Sequence, residues 1–369
     1  MLNVYHDPEL PHFAFYSKNR AEKDSYAAWL IETIPHDFCL YLCPKAVREH
    51  LSKRFPKAYL VDIEKFTQKA LFLNILSMAS EQTLVIMENI SRYTLLSSDK
   101  FNCLQRIRMK TSRRYLIDIL PFTKDITKLY LPYSYLDREI LKYSNGWAFS
   151  YNYAEQDESG RIRRAHDHDF LAEKIAPYCH QSYEQFLPKQ WHTVESQLTS
   201  DERERYAARK EQLFNEYSNP AKIVTEICDF ANMVESRKEV LCQILWPLRD
   251  AVIYANITKN NPPIKRYLKT NGMLDGKNIE FRTYCSHDNS PIESKNVILF
   301  ETPLNANRVA VLDVIADIRE DATVYHFRND AKADRYIYDQ VVPEWHAING
   351  FTQEIRKVQD ARLYASQCV

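Results

Sequence analysis

Through the first 140 residues, apolar runs of four to six residues alternate with amphipathic stretches of eight or more, and this alternation constrains the fold most strongly. Parallel strands cannot be joined by a tight hairpin and need a crossover, usually a helix. Strand-sized runs separated by helix-sized stretches therefore fit stacked βα units, not a helical bundle or a meander of hairpins. Phe13 to Tyr16, Phe38 to Cys43, Ala58 to Val61, Leu84 to Met87 and Tyr115 to Leu120 read as strands. Tyr26 to Thr33, Ala46 to Phe55, Ile63 to Ala79 and Phe101 to Lys110 read as helices. A polar stretch from Tyr143 to His168 reads as a loop or insertion, followed by helical segments at Phe170 to Tyr178 and Ser200 to Tyr217. Thr199 with Glu202 supplies a capping box for the second of these. A second alternation then runs from about Pro220 to Val342, with strands at Ala251 to Ala255, Asn296 to Phe300 and Thr323 to Phe327. The expectation is an α/β protein of two lobes with mostly parallel sheets, divided as 1–140, a linker and helical insertion at 141–235, and 236–369.

Only five glycines occur in 369 residues, and the first is Gly146. Phosphate loops and dinucleotide turns use glycine to bring backbone amides close to an anion, so no glycine-built loop can occupy the first lobe. The charges balance at 49 basic and 49 acidic residues, which excludes a highly charged disordered tail. No apolar run approaches the ~20 residues of a membrane span, and the N-terminus lacks the basic start of a signal peptide. The expectation is a soluble cytoplasmic or nuclear protein, not secreted and without membrane contact. The eight cysteines are scattered through apolar runs such as Phe38 to Cys43, as reduced buried thiols are.

Several stretches, in order, resemble the helicase-like ATPases of the Swi/Snf type, a branch of helicase superfamily two. Cys43-Pro44-Lys45 resembles a "CPxS" stretch. Leu84-Val85-Ile86 with Met87-Glu88-Asn89-Ile90-Ser91 falls where that family has "LVIxDEAH". Arg113 to Pro121, continued by Leu129-Tyr130 and Tyr135-Leu136, follows the spacing of "RLALTGTP…LYSLLDFL". Phe186 to Gln190 and Leu198 to Arg203 resemble "LPxK…LTxEQR", and Thr323 to Phe327 on to Tyr338 resembles "VTVYRL…TVDExIY". The resemblance implies two RecA-like lobes with a helical insertion between them.

Laid on this chain, the family's ATPase machinery is eroded. The GxxxxGK[ST] spacing puts Ser17 and Glu22 where glycines belong, then Lys23, then Asp24 in place of the hydroxyl residue that would hold magnesium. Glu22 and Asp24 would stand beside a triphosphate, where like charges repel. Lys23 also has a plainer reading, as a solvated residue at a helix start. Glu88 could still reach a metal, but Asn89 replaces the water-activating glutamate, and an amide has no proton to exchange near neutral pH. Asp118-Ile119-Leu120 replaces Thr-Gly-Thr and reads as a core strand. In the second lobe Arg308 and Arg319 are candidates for the family's arginines, without a glutamine-arginine box around them. Lys23, Glu88 and Arg308 are thus the remnants of a nucleotide site. No catalytic residue, cofactor or metal site is assigned; His166-Asp167-His168-Asp169 has ligand-type residues but no partner at zinc spacing.

From Arg92 to Arg114 seven basic residues face the single acid Asp99. Lys100, Arg106, Arg108, Lys110, Arg113 and Arg114 are candidates to neutralise phosphates, with a solvated helix face as the alternative. The expected function is a catalytically inactive helicase-like scaffold that binds a protein partner, DNA or both, as an accessory or inhibitor of a DNA-processing complex. The competing expectation is a divergent DNA-dependent ATPase using Lys23 and Glu88.

Overall fold

The computed structural model describes residues 6–90, 98–123, 125–158, 162–255, 260–284, 292–302 and 308–367. The chain divides into two compact units: residues 1–186 with 347–369, and residues 187–346.

In the first unit the elements are β1 (His12–Tyr16), α1 (Arg20–Thr33), β2 (Phe38–Cys43), α2 (Lys45–Arg54), β3 (Tyr59–Asp62), α3 (Lys69–Met78), β4 (Thr83–Glu88), α4 (Ser98–Lys110) and β5 (Arg113–Asp118). They continue through α5 (Tyr130–Leu136), α6 (Arg138–Leu141), α7 (Gly146–Tyr153), β6 (Ala154–Gln156), β7 (Ile162–Ala165), α8 (His168–Ile175) and β8 (Cys179–Gln181). Six strands form one sheet in the order β3-β2-β4-β5-β1-β8, and every pairing in it is parallel. Tyr41, Ile86, Tyr115 and Phe13 lie in register across four neighbouring strands. They join Tyr26, Trp29 and Leu30 of α1 and Leu51 of α2 in a single apolar cluster, so α1 and α2 cover this face. The path from β3 back to β4 reverses direction across the sheet. Right-handed crossovers therefore carry α3 and α4 to the other face.

The second unit holds β9 (Gln190–Ser196), α9 (Ser200–Glu216), α10 (Pro220–Asn232), α11 (Glu235–Leu245), β10 (Asp250–Ala255), α12 (Asn261–Thr270), β11 (Asn278–Thr283), β12 (Asn296–Leu299), α13 (Arg308–Asp317) and β13 (Thr323–Asn329). Its five strands run in the order β11-β10-β12-β13-β9, again all parallel. The last helix, α14 (Lys332–Gln367), begins in this unit and ends in the first. The fold class is the expected α/β one, with two sheets of parallel strands.

The boundaries differ from the expected three parts. Residues 141–186 belong to the first unit and 187–235 to the second, because β8 and β9 each add an edge strand to the sheet of their own unit. The expected polar loop contains α7, whose Phe149 and Tyr153 are buried, with Phe149 5.8 Å from the Tyr130 ring and 5.5 Å from that of Tyr143. The helix expected from Ile63 starts only at Lys69, because the Asp62 side chain accepts from the Glu64 amide at 3.0 Å and turns the chain there. The last helix passes Val342 and Pro343 because Val341, Trp345, Ile348 and Ile355 form a continuous buried stripe. The capping box at α9 is present: the Glu202 amide donates to Thr199 Oγ1 at 3.3 Å and the Thr199 amide to Glu202 Oε2 at 2.9 Å.

Candidate functional site

In a parallel α/β sheet the carboxyl ends of the strands are where ligands gather. In the first unit β1 ends at Tyr16, and Ser17-Lys18-Asn19 leads directly into α1. Arg20 to Glu22, where the phosphate-loop spacing needs open loop, are already helical. Three amides there are spent within the chain. Ala21 donates to the Asn19 side chain at 2.8 Å, Lys23 to the Asn19 carbonyl at 3.2 Å, and Asn19 to Ser17 Oγ at 3.0 Å. Ser17 Oγ in turn donates to Glu22 Oε2 at 2.6 Å. Asn19 thus does what an N-cap residue does, and the anion-attracting end of α1 is closed by its own cap.

Strand register explains the rest. Tyr41 pairs opposite Ile86, so Glu88, two residues further along β4, points to the same face as Tyr41 and α1. Glu88 is fully buried. One of its oxygens is paired with Arg20, and the other accepts from Tyr41 Oη at 3.0 Å. Arg20 also binds Asp24, one turn along α1, with Nε at 2.8 Å from Oδ1, and His50 of α2 reaches the other Asp24 oxygen at 2.6 Å. Burial alone would raise the Asp24 carboxyl, but hydrogen bonds from Arg20 and His50 outweigh it and hold it below the usual range. Burial would likewise lower the Arg20 guanidinium, and the charge of Glu88 with the bonds to both carboxylates raises it instead. Burial, with the neighbouring Glu88 charge, pushes the Cys43 thiol up to about 12, so it stays protonated and is no nucleophile.

Lys23 departs from its plainer reading: it is only 5% exposed, not solvated, because it lies on the packed side of α1. Asn89, buried beyond the end of β4, holds a left-handed backbone with φ 56° while its amide donates to the Ile117 carbonyl at 2.8 Å. Asp118 closes β5 on the opposite face of the sheet from Glu88, so the strand expected to run to Leu120 ends two residues earlier, and Ile119 and Leu120 lie beyond it. Arg20, Tyr41 and His50 were missed by sequence reasoning. Only the spacing of Arg20 and Asp24, four residues apart, was visible there.

The six basic candidates are not one patch. Arg114 is 5% exposed, with Nε 2.9 Å from the Leu136 carbonyl, so its charge is held inside. Lys100 pairs with Glu64 at 2.7 Å. Arg113 donates to the Pro35 carbonyl at 2.6 Å, in a cleft that Asp37 and Glu81 also line. Arg106, Arg108 and Lys110 remain along α4. Arg106 is exposed, 5.1 Å from the Phe72 ring, Arg108 donates to Gln105 Oε1 at 2.9 Å, and Lys110 to the Leu76 carbonyl at 2.9 Å. None of the three has a carboxylate within ion-pair distance among the described residues.

In the second unit Arg308 is the first residue of α13, and its side chain lies outside the described residues. Arg319 pairs with Asp321 at 2.8 Å. His166 contacts the Asp167 carboxylate at 3.0 Å, and no group of three metal-ligating side chains occurs among the described residues. No described helix is long and apolar enough to cross a membrane.

No protein-family model matches the sequence, and no curated protein matches it. Among solved structures, the chain is similar to one described as the Sulfolobus solfataricus SWI2/SNF2 ATPase core in complex with dsDNA. The identity is 11%, over 94% of this chain and 90% of that one, with a TM-score of 0.41.

Proposed function

We propose that this chain is a helicase-like scaffold that does not hydrolyse ATP and acts by binding, with DNA phosphates meeting α4 and a protein partner completing a DNA-processing complex as its target or its host. The observation that carries the reading is the pairing of Arg20 with both Glu88 and Asp24 at the carboxyl end of β1 and β4. A metal-triphosphate entering there would have to displace an arginine from a buried carboxylate. It would also meet three carboxylates, Glu22, Asp24 and Glu88, against two permanent cations, Arg20 and Lys23. Three of the amides that would cradle its phosphates, those of Asn19, Ala21 and Lys23, already have acceptors. For the DNA contact the support is the three cations along α4 that have no carboxylate partner among the described residues.

The test pairs ATP turnover with binding of a short duplex at several salt concentrations. The expected result is no turnover, with or without duplex, and weak, sequence-tolerant binding. The slope of log affinity against log salt should be about 0.9 per neutralised phosphate. The variant Arg106→Glu, Arg108→Glu, Lys110→Glu should lose that binding and stay folded. Turnover that rises with duplex and vanishes in Lys23→Ala would replace this reading with a divergent ATPase. Unchanged binding by the triple variant would remove the DNA contact.

A further inference from the structure

A second binding surface lies in the first unit, away from the carboxyl ends of its sheet. Between α8 and the last turns of α14 runs a groove of about 560 Å³ lined by Phe170, Glu173, Lys174, Val358, Ala361 and Arg362. Phe170 is 51% exposed and faces the same groove as Val358 and Ala361. Tyr364, 71% exposed, sits three residues beyond Ala361 and so extends the same side of α14.

The charges around this groove are not balanced. Lys174 Nζ donates to the Leu141 carbonyl at 3.1 Å and stands 5.2 Å from the Phe170 ring and 5.5 Å from that of Tyr143. It also feels the like charge of Lys142. Among the described residues none of Lys142, Lys174 and Arg362 has a carboxylate within ion-pair distance. Two cations without a carboxylate partner, Lys174 and Arg362, thus line the trough against one acid, Glu173. Carbonyl and ring contacts fix the Lys174 ammonium in place, so an incoming carboxylate would find it already positioned.

We infer that this groove docks an amphipathic helical segment of a partner protein, with apolar side chains entering between Phe170 and Val358 and flanking carboxylates meeting Lys174 and Arg362. Helix-in-groove docking needs apolar anchors at one-turn spacing, which two adjacent helices offer naturally. A nucleic-acid strand fits less well, since Glu173 lines the trough and would meet its phosphates. This surface is independent of α4 and of the nucleotide-site remnant.

The probe is a fluorescein-labelled helical peptide of about 15 residues with leucines at i, i+3, i+4 and i+7 and glutamates flanking them. Its twin carries lysine for each glutamate, and a dT15 oligonucleotide serves as a third ligand. Fluorescence anisotropy should show saturable binding of the acidic peptide and about ten-fold weaker binding of the twin. Binding should fall about ten-fold in Lys174→Glu, Arg362→Glu and in Phe170→Ser, with unchanged circular dichroism. Hydrogen exchange should slow in residues 168–175 and 355–364 when the peptide is bound. Equal binding of both peptides, no binding by the parent chain, or protection elsewhere would overturn the inference. Competition by dT15 for the same residues would overturn it in favour of a nucleic-acid surface. Because duplex binding to α4 is measured with different variants, either surface can fail without the other.

Discussion

Each unit sets an arginine against a buried carboxylate, and the two arginines serve different ends. In the second unit Arg237 is fully buried: Nη1 lies 3.0 Å from Asp334, Nε 3.2 Å from the Phe300 carbonyl, and its guanidinium sits over the Phe300 and Phe327 rings. It ties α11 to the ends of β12 and β13 and to the start of α14. In the first unit Arg20 keeps about a third of its side chain exposed and reaches a fully buried Glu88 from the first turn of α1. The first arginine fastens a core; the second closes the carboxyl end of β4. Burial depth separates these roles, because a pair sealed from water must be complete to be tolerated, whereas a half-open pair can exchange one partner.

If depth is what distinguishes them, Arg237→Ala should be the costlier loss, about 3–5 kcal/mol, since it leaves the buried Asp334 charge with only the Asn329 amide as donor and the Phe300 carbonyl without the guanidinium. Urea unfolding with hydrogen exchange in β12 and β13 would measure it, and a loss below about 1 kcal/mol would break the contrast. Arg20→Ala should cost less, about 2–3 kcal/mol, because Tyr41 still donates to Glu88. Adding Glu88→Gln to that variant should restore at least half of the loss, which a merely steric role for Arg20 would not allow.

The units should also answer acid differently. Burial with the nearby Arg237 charge lowers the His326 imidazole to about 3, and burial with Arg114 lowers His12 in the first unit to about 4. A depressed histidine is protonated first in the unfolded chain. Its stability contribution is therefore complete above the ordinary value of 6.5 and is lost as pH falls towards the folded value. The loss approaches about 1.4 kcal/mol per pH unit for one proton. The His326 slope should persist below pH 4, after that of His12 has ended, and His326→Gln should remove it from a pH series of unfolding curves. The smallest effect is Thr199→Ala, about 1 kcal/mol for loss of the α9 cap. It should appear as faster exchange at the start of α9 with both arginine pairs intact.

The alternation of strand-sized and helix-sized stretches was enough to determine two parallel α/β sheets, because period and length are local properties that packing rarely overrides. The absence of glycine before Gly146 excluded a glycine-built phosphate loop for a similar reason: backbone permissiveness belongs to the residue itself. The Thr199 cap was legible because all its partners lie within three residues. Edge strands such as β9 were not, since an edge strand needs only alternate residues buried. The unit boundary at Phe186 depended on which sheet β8 and β9 joined, a non-local pairing. Basic residues that look alike in sequence were also sorted only by tertiary structure, with Arg114 drawn inside by the carbonyl of Leu136 and Arg106 left outside. The arrangement of the Arg20 cluster was decided in the same way. Arg20, Tyr41, His50 and Glu88 come from four elements, and only the parallel register that sets Glu88 two residues beyond the partner of Tyr41 brings their charges together.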